Sequence, residues 1–165
     1  MKKIISNKIV RIIKNKKKLE KILKVKITNR GKEVFIEGDS ENEYIAEKVI
    51  DALDIGFPFE TAMSIKKDNF SFEIFNIKDH TKRKDLERVR ARIIGKGGKT
   101  LKTLHALTKC SFELNNNNVG IIGDSEHIKN AEDAIVAIIK GAKQSNVYSF
   151  LEKHQPEKVI DLGLK

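Results

Sequence analysis

The chain repeats itself, and the repeat limits what it can fold into. Gly38-Asp39-Ser40-Glu41 recurs as Gly123-Asp124-Ser125-Glu126, and Ala46-Glu47 recurs as Ala131-Glu132, each at an offset of 85 residues. Ile50 and Ile135 keep that offset, whereas Arg11-Ile12-Ile13 matches Arg92-Ile93-Ile94 at an offset of 81. The first copy is therefore four residues shorter, somewhere after Ile13. The sequence reads as a duplicated unit of about 70 to 80 residues. We divide it into residues 1–66, a first repeat with its connecting helix, and 67–165, a second repeat with a helical extension.

Each copy alternates the same signals. In the first, Lys2–Ser6 is a short strand and Lys8–Leu23 a basic helical stretch. Val25–Thr28 and Val34–Glu37 are strands paired around Asn29-Arg30-Gly31. Ser40 caps a helix over Glu41–Leu53, with Ile45, Val49, Ile50 and Leu53 on one face. Gly56-Phe57-Pro58 breaks it, and Glu60–Lys66 forms the connecting helix. In the second copy Phe70–Ile77 is a strand, and Cys110–Leu114 and Val119–Ile122 pair around Asn115–Asn118. A long helix capped by Ser125 stops at Gly141, and Tyr148 and Phe150 anchor a terminal helix.

Between the second copy's first strand and its hairpin lies the stretch that bears function. Leu86, Val89 and Ile93 lie at helical spacing, as do Leu101, Leu104 and Thr108, so Gly95-Lys96-Gly97-Gly98 interrupts two short helices. Glycines there permit close approach, and the following helix directs free N–H groups and the positive end of its dipole over the turn. Lys96 and Lys99 add charge. Such a site suits a sugar-phosphate backbone; a plain anion-binding turn is the simpler alternative. The candidate nucleic-acid-binding residues are Gly95, Lys96, Gly97, Gly98, Lys99, Arg88, Arg90, Arg92 and Lys102. Ile93, Ile94, Leu101 and Phe112 read as core.

Charge is segregated in step with the repeat. Residues 1–26 hold 11 Lys and Arg against one Glu, and residues 80–109 hold 10 basic against 2 acidic. The intervening 27–79 carry 6 against 12, and 110–165 carry 6 against 8. Two basic blocks in a chain of net charge +10 point to nucleic acid as partner.

Catalysis finds little support. His80, His105, His127 and His154 show no ligand spacing with the single Cys110, and no acidic group suggests a two-metal site. Gly98-Lys99-Thr100 ends like a phosphate-binding loop, but Ile93 stands where the earlier glycine belongs. We expect no cofactor, no metal and no enzymatic activity. No apolar run approaches the roughly 18 residues of a membrane span, and the first residues lack signal-peptide character, so a soluble, cytoplasmic protein is expected.

The element order, with Ile93-Ile94-Gly95-Lys96-Gly97-Gly98 between two helices, resembles a KH domain of the eukaryotic-type arrangement over residues 70–142. Two such units, the Gly-Asp-Ser helix starts, Gly56-Phe57 before a short helix, and Val147–Glu152 narrow the likeness to the archaeal form of the Partner-of-Nob (Dim-type) family. The resemblance implies an α+β fold of two tandem KH-type units (strand-helix-helix-strand-strand-helix). It also implies a factor in small-subunit ribosome assembly that binds the 3′ region of the small-subunit rRNA. The partners it implies are a Nob-type endonuclease and the alpha subunit of initiation factor two. The first repeat departs from the pattern: a degenerate, lysine-rich loop, Lys14-Asn15-Lys16-Lys17-Lys18, stands where the glycine loop belongs. We expect no nucleotide clamp there, only an auxiliary RNA or protein contact or a solvated face. Two rival readings are an exosome or messenger-RNA KH module, and a KH scaffold that mainly binds proteins.

Overall fold

A computed structural model describes residues 1–155; the end of the predicted second unit, 156–165, lies outside the described residues. The first copy contains β1 (Lys2–Ile5), α1 (Ile9–Leu23), β2 (Lys26–Arg30), β3 (Glu33–Glu37) and α2 (Ser40–Ile55). Then come α3 (Phe59–Met63) and a 3-10 turn at Ser64–Lys66. The second copy contains β4 (Phe70–Asn76), a 3-10 turn at Ile77–Asp79, α4 (Leu86–Ile94), the glycine turn, and α5 (Lys99–Thr108). β5 (Ser111–Asn115), β6 (Asn118–Asp124), α6 (Ser125–Ile139) and α7 (Gln144–Lys153) complete it.

Both copies build the same antiparallel sheet, in the order β1-β3-β2 and again β4-β6-β5. The last strand of each copy runs down the middle because it pairs on both edges, Val34 with Ile4 and Asn29, Ile121 with Glu73 and Phe112. α1 is amphipathic: Ile12, Leu19 and Leu23 are buried, while Lys14, Lys17, Lys18 and Lys21 face water. It runs through the lysine stretch as one uninterrupted helix, where the second copy has α4, a turn and α5, so Lys14–Lys18 is not the degenerate loop expected. The two copies come back into register at the helix ends, where Lys24 (φ 57°) and Lys109 (φ 60°), 85 residues apart, both close their helices in the left-handed conformation. The four residues separating the offsets of 81 and 85 thus equal the length of the glycine turn.

Several local readings shift. The first hairpin turns at Gly31-Lys32, because β2 continues to Arg30, which pairs with Glu33. The helix caps are Asp39 and Asp124, one residue before the serines. Asp124 accepts the Glu126 N–H at 2.9 Å, while the Ser125 hydroxyl donates to the Asn69 carbonyl. α7 is seated by buried Val147 and Leu151 with Tyr148 half-buried; Phe150 is exposed rather than an anchor.

The hydrophobic residues form two clusters, and the second sheet stands between them. Val119 and Ile121 face inward to α4, α5 and α6. On the opposite face the paired residues Phe72 and Ile122 enter the cluster of the first copy, with Ile55, Phe57 and Ile65. Phe57 meets Phe72 edge-on at 6.1 Å between ring centroids. Gly120 makes this approach possible: a Cβ there would stand 2.9 Å from Phe57 Cε2. Burying a side chain the size of Phe57 contributes about 2–3 kcal/mol, so the two copies share a substantial apolar seam.

Candidate nucleic-acid interface

α4 ends at Ile94 because Gly95 takes φ 77°, ψ 168°, a region that side-chain-bearing residues scarcely enter. A Cβ at Gly95 would also overlap the Thr100 side chain and stand 2.6 Å from its backbone nitrogen. Gly97 and Gly98 also have positive φ, but a Cβ at either would meet nothing within 4 Å. Their bareness leaves open space above the turn. The Gly98 N–H donates to the Gly95 carbonyl at 3.1 Å, and α5 then starts with no side-chain cap and no acid in its first turn. Its first N–H groups and positive dipole end stand uncapped beside exposed Lys96 and Lys99. The turn is therefore arranged for an anion of backbone-phosphate size.

Next to it a depression of about 350 Å³ runs between α5 and β5. Leu101, Lys102 and His105 form one wall, Ser111, Phe112 and Glu113 the other, and Phe57, Pro58 and Thr61 of the inter-repeat segment complete it. Phe112 is half-buried: it packs on the second core and lines this groove. His105 Nδ1 lies 2.7 Å from the Cys110 carbonyl oxygen. A carbonyl only accepts, so Nδ1 carries the hydrogen and Nε2 is the ring position left open. Burial pushes the Glu113 carboxyl above its ordinary range, with Lys8 and Arg11 pulling the other way.

The other candidates are placed unequally. Lys102 lines the groove, and Arg88 is exposed in a separate depression with Lys84, Asp85, Leu86, Glu87 and Ala91. Arg90 is half-buried and donates to Asn117 in the β5–β6 turn. Arg92 is engaged within the fold: its guanidinium donates to the carbonyls of Ile138 and Ala142 at the end of α6. In the first copy Lys14, Lys17 and Lys18 are exposed; Asn15 and Lys16 are half-buried, and the Asn15 amide donates to the Arg11 carbonyl. Sequence reasoning missed Glu113, His105 and the segment Phe57–Thr61. His105 had a signal, lying four residues after Leu101 on the same helix face.

One trio of possible metal ligands lies together among the described residues, Asp124, Glu126 and His127. Asp124 is already engaged by the Glu126 N–H and the Asn69 amide, so the trio reads as a helix cap. Cys110 is buried, and burial pushes its thiol up to about 11. No described helix is long and apolar enough to cross a membrane.

A strand, two helices around a glycine turn, a hairpin and a return helix, with a groove beside the turn, make the second copy a KH unit, carried here in tandem with a loop-less relative. Sequence comparison gives the family. A model of the second KH domain of PNO1, described as a eukaryotic type KH-domain (KH-domain type I), matches residues 71–156, just over half of the chain, and the chain belongs to that family. A KH domain-containing protein of Methanocaldococcus jannaschii is 29% identical over 147 residues, which is 85% of this chain and 65% of the relative. RNA-binding protein PNO1 of Oryzias latipes is 34% identical over 76% of this chain and 55% of its own length. The chain thus spans somewhat under two thirds of these relatives. Among solved structures, an archaeal Dim2p in complex with a/eIF2alpha and rRNA, from Pyrococcus horikoshii, matches with a TM-score of 0.86 and 30% identity, covering 93% of this chain and 92% of that one.

Proposed function

We propose that this protein binds single-stranded RNA through its second unit, and that its target is the 3′ region of the small-subunit rRNA during ribosome assembly. The observation that carries the reading is the open glycine turn at Gly95–Gly98, which leaves the start of α5 uncapped beside exposed Lys96 and Lys99, immediately before the α5 residues Leu101, Lys102 and His105 that line the groove. KH units hold about four nucleotides in this way, the backbone against the glycine loop and the bases along the groove. The relatives named for pre-rRNA processing and RNA binding, and the Dim2p–rRNA complex, support the choice of RNA. We assign the contact to Gly95, Lys96, Gly97, Gly98, Lys99 and Lys102, with Arg88 and Arg90 at the periphery.

The first unit, residues 1–66 in this division, contributes lysines without a clamp. By analogy with the Dim2p complex, the alpha subunit of initiation factor two is the first protein partner to test, and a Nob-type endonuclease the second. The role is binding rather than catalysis, exercised in the cytoplasm. The test is affinity for an oligonucleotide from the small-subunit rRNA 3′ end beside a scrambled one of equal length. Tight binding to the first alone, lost on Lys96→Asp with Gly97→Asp in a folded protein, is expected. Unchanged affinity in that variant would overturn the assignment.

A further inference from the structure

The second sheet ends on an open edge. β4 is its outer strand and pairs with β6 on one side. The bonds at its two ends fix which backbone groups face outward: the Ser125 N–H donates to the Asn69 carbonyl, and the Ile77 N–H to the Asn117 carbonyl. Pairs alternate along an antiparallel ladder, so Ser71, Glu73 and Phe75 bond to β6, while Phe70, Phe72 and Ile74 turn their N–H and C=O groups away from it. The Phe70 N–H is taken by the Lys67 carbonyl. The N–H and C=O groups of Phe72 and Ile74 have no hydrogen-bond partner among the described residues.

Edge strands are ordinarily short, guarded by lysine, or broken by proline or a bulge. β1, the counterpart in the first copy, obeys: it has four residues, and its Lys2 and Lys3 pair with Glu47 and Glu33. β4 has seven residues, Phe-Ser-Phe-Glu-Ile-Phe-Asn, with neither lysine nor proline and an unbroken register. Ile74 on it is 50% exposed. A groove of about 340 Å³ runs beside it, lined by Tyr44 and Ile45 of α2 together with Phe70 and Phe72. The cations of that groove are already seated: Lys48 lies over the Tyr44 ring, Lys67 over the Phe70 ring, and Lys66 donates to the Ile22 carbonyl. Glu41 and Asp68 complete its charges. Glu73 alternates to the other face of the strand, is exposed, and enters none of the ion pairs among the described residues.

We propose that the free edge of β4 docks an extended, antiparallel strand of another protein, one with apolar residues at alternate positions and a lysine or arginine between them. An extended backbone presents donors and acceptors at the two-residue spacing of Phe72 and Ile74. The apolar side chains enter the groove beside Phe72 and Ile74, and the cation stands opposite Glu73, where opposite charges across a strand pair are favourable. A second copy of β4 lacks that cation. The two antiparallel self-pairings that bond both Phe72 and Ile74 set Glu73 opposite another Glu73 or opposite Phe75. The edge and its groove share no residue with the glycine turn or the α5–β5 groove, so this docking stands apart from RNA binding.

The test uses the full chain and an acetylated, amidated nonapeptide in which valine alternates with lysine and threonine, followed by nuclear magnetic resonance. Binding with a Kd of about 1 mM or tighter is expected, with slowed exchange of the Phe72 and Ile74 amide hydrogens. The same peptide N-methylated at its valines, which lose the donors aimed at β4, should not bind. Ile74→Pro removes an N–H that no ladder bond uses, a change that an edge strand tolerates, and should weaken the peptide at least about tenfold. Glu73→Lys should weaken it about threefold and favour a peptide with glutamate in place of lysine. No binding at about 1 mM, equal binding of the N-methylated peptide, or affinity unchanged in both variants would overturn the proposal. Slowed exchange at Phe72 and Ile74 that rises with protein concentration in the absence of peptide would give the edge to a second copy. The same protection by hexauridylate would give it to RNA, and either result overturns the proposal.

Discussion

Arg92 donates to the carbonyl oxygen of Ile138 at 2.7 Å, and with its second nitrogen to Ala142, so that α4 holds the end of α6. Arg11 makes the same two-pronged contact in the first copy, to Leu53 and Phe57, each at 2.7 Å. Carbonyls at a helix end lack intrahelical partners, and a guanidinium fork satisfies two at once. Arg92→Ala is therefore expected to cost about 2 kcal/mol of stability. Arg92→Lys should recover only part of that, because an ammonium lacks the fork. RNA affinity of the folded variants should stay within about twofold of the unaltered protein. Denaturant melts beside an RNA titration check this; a large loss of affinity with stability intact would contradict it.

The glycines of the turn should separate in the same experiment. Gly95→Ala places a Cβ against Thr100 in a backbone conformation nearly reserved for glycine, and should cost upward of about 3 kcal/mol. Gly97→Ala meets open space and carries only the left-handed penalty of about 1–2 kcal/mol. Urea midpoints would show the order, and equal losses would refute the geometry. Variants meant to report RNA contact belong at Lys96 and Gly97, not at Gly95.

How much of this was legible beforehand follows from range. The strands and most of the helices were local, and the offset change from 81 to 85 showed that the first copy is four residues shorter after Ile13; the degenerate lysine-rich loop expected at Lys14–Lys18 is instead continuous helix. The groove was only half legible, because Phe57, Pro58 and Thr61 lie forty or more residues from Leu101 and nothing local joins them. The hydrogen bonds of Arg92 to the end of α6 were not legible, because a positive charge beside a glycine turn does not say which way its side chain runs. The repeat itself held the answer. Arg11 persists in the copy that lost its turn, which ties that arginine to the fold rather than to the ligand.

Asp51 gives the fold a pH dependence. Burial pushes its carboxyl from the ordinary 3.8 up to about 6, reinforced by Glu47, with Lys48 opposing. A carboxyl raised on folding binds its proton more tightly in the native state, so its charge costs nothing below about pH 4. The cost grows between about 4 and 6 and is complete above that. Asp51→Asn should therefore stabilise the protein at pH 7 by about 1–2 kcal/mol, allowing for the part of the group that solvent screens. The gain should vanish near pH 4. Thermal midpoints of both proteins from pH 4 to 8 provide the check, and a gain independent of pH would sink the explanation.

The seam at Phe57 makes a last prediction about cooperativity. Phe72 and Ile122 belong to the second sheet but are buried in the first copy's cluster, so neither copy can lose its packing without uncovering the other. Two separately stable units would melt in two steps; a shared seam should give one. Cys110 reports on the second copy by itself: it is buried in the second core, and its thiol, pushed up to about 11, holds almost no thiolate at neutral pH. Its labelling by a thiol reagent should stay slow until the second unit opens. The urea midpoint for Cys110 labelling should therefore coincide with that for loss of helical circular dichroism. Phe57→Ala should lower both midpoints together, by about 3–5 kcal/mol of stability, since it empties the seam and leaves a cavity. Separation of the two midpoints in the unaltered protein would show that the copies unfold independently, and that the Phe57–Phe72 contact couples them too weakly to matter.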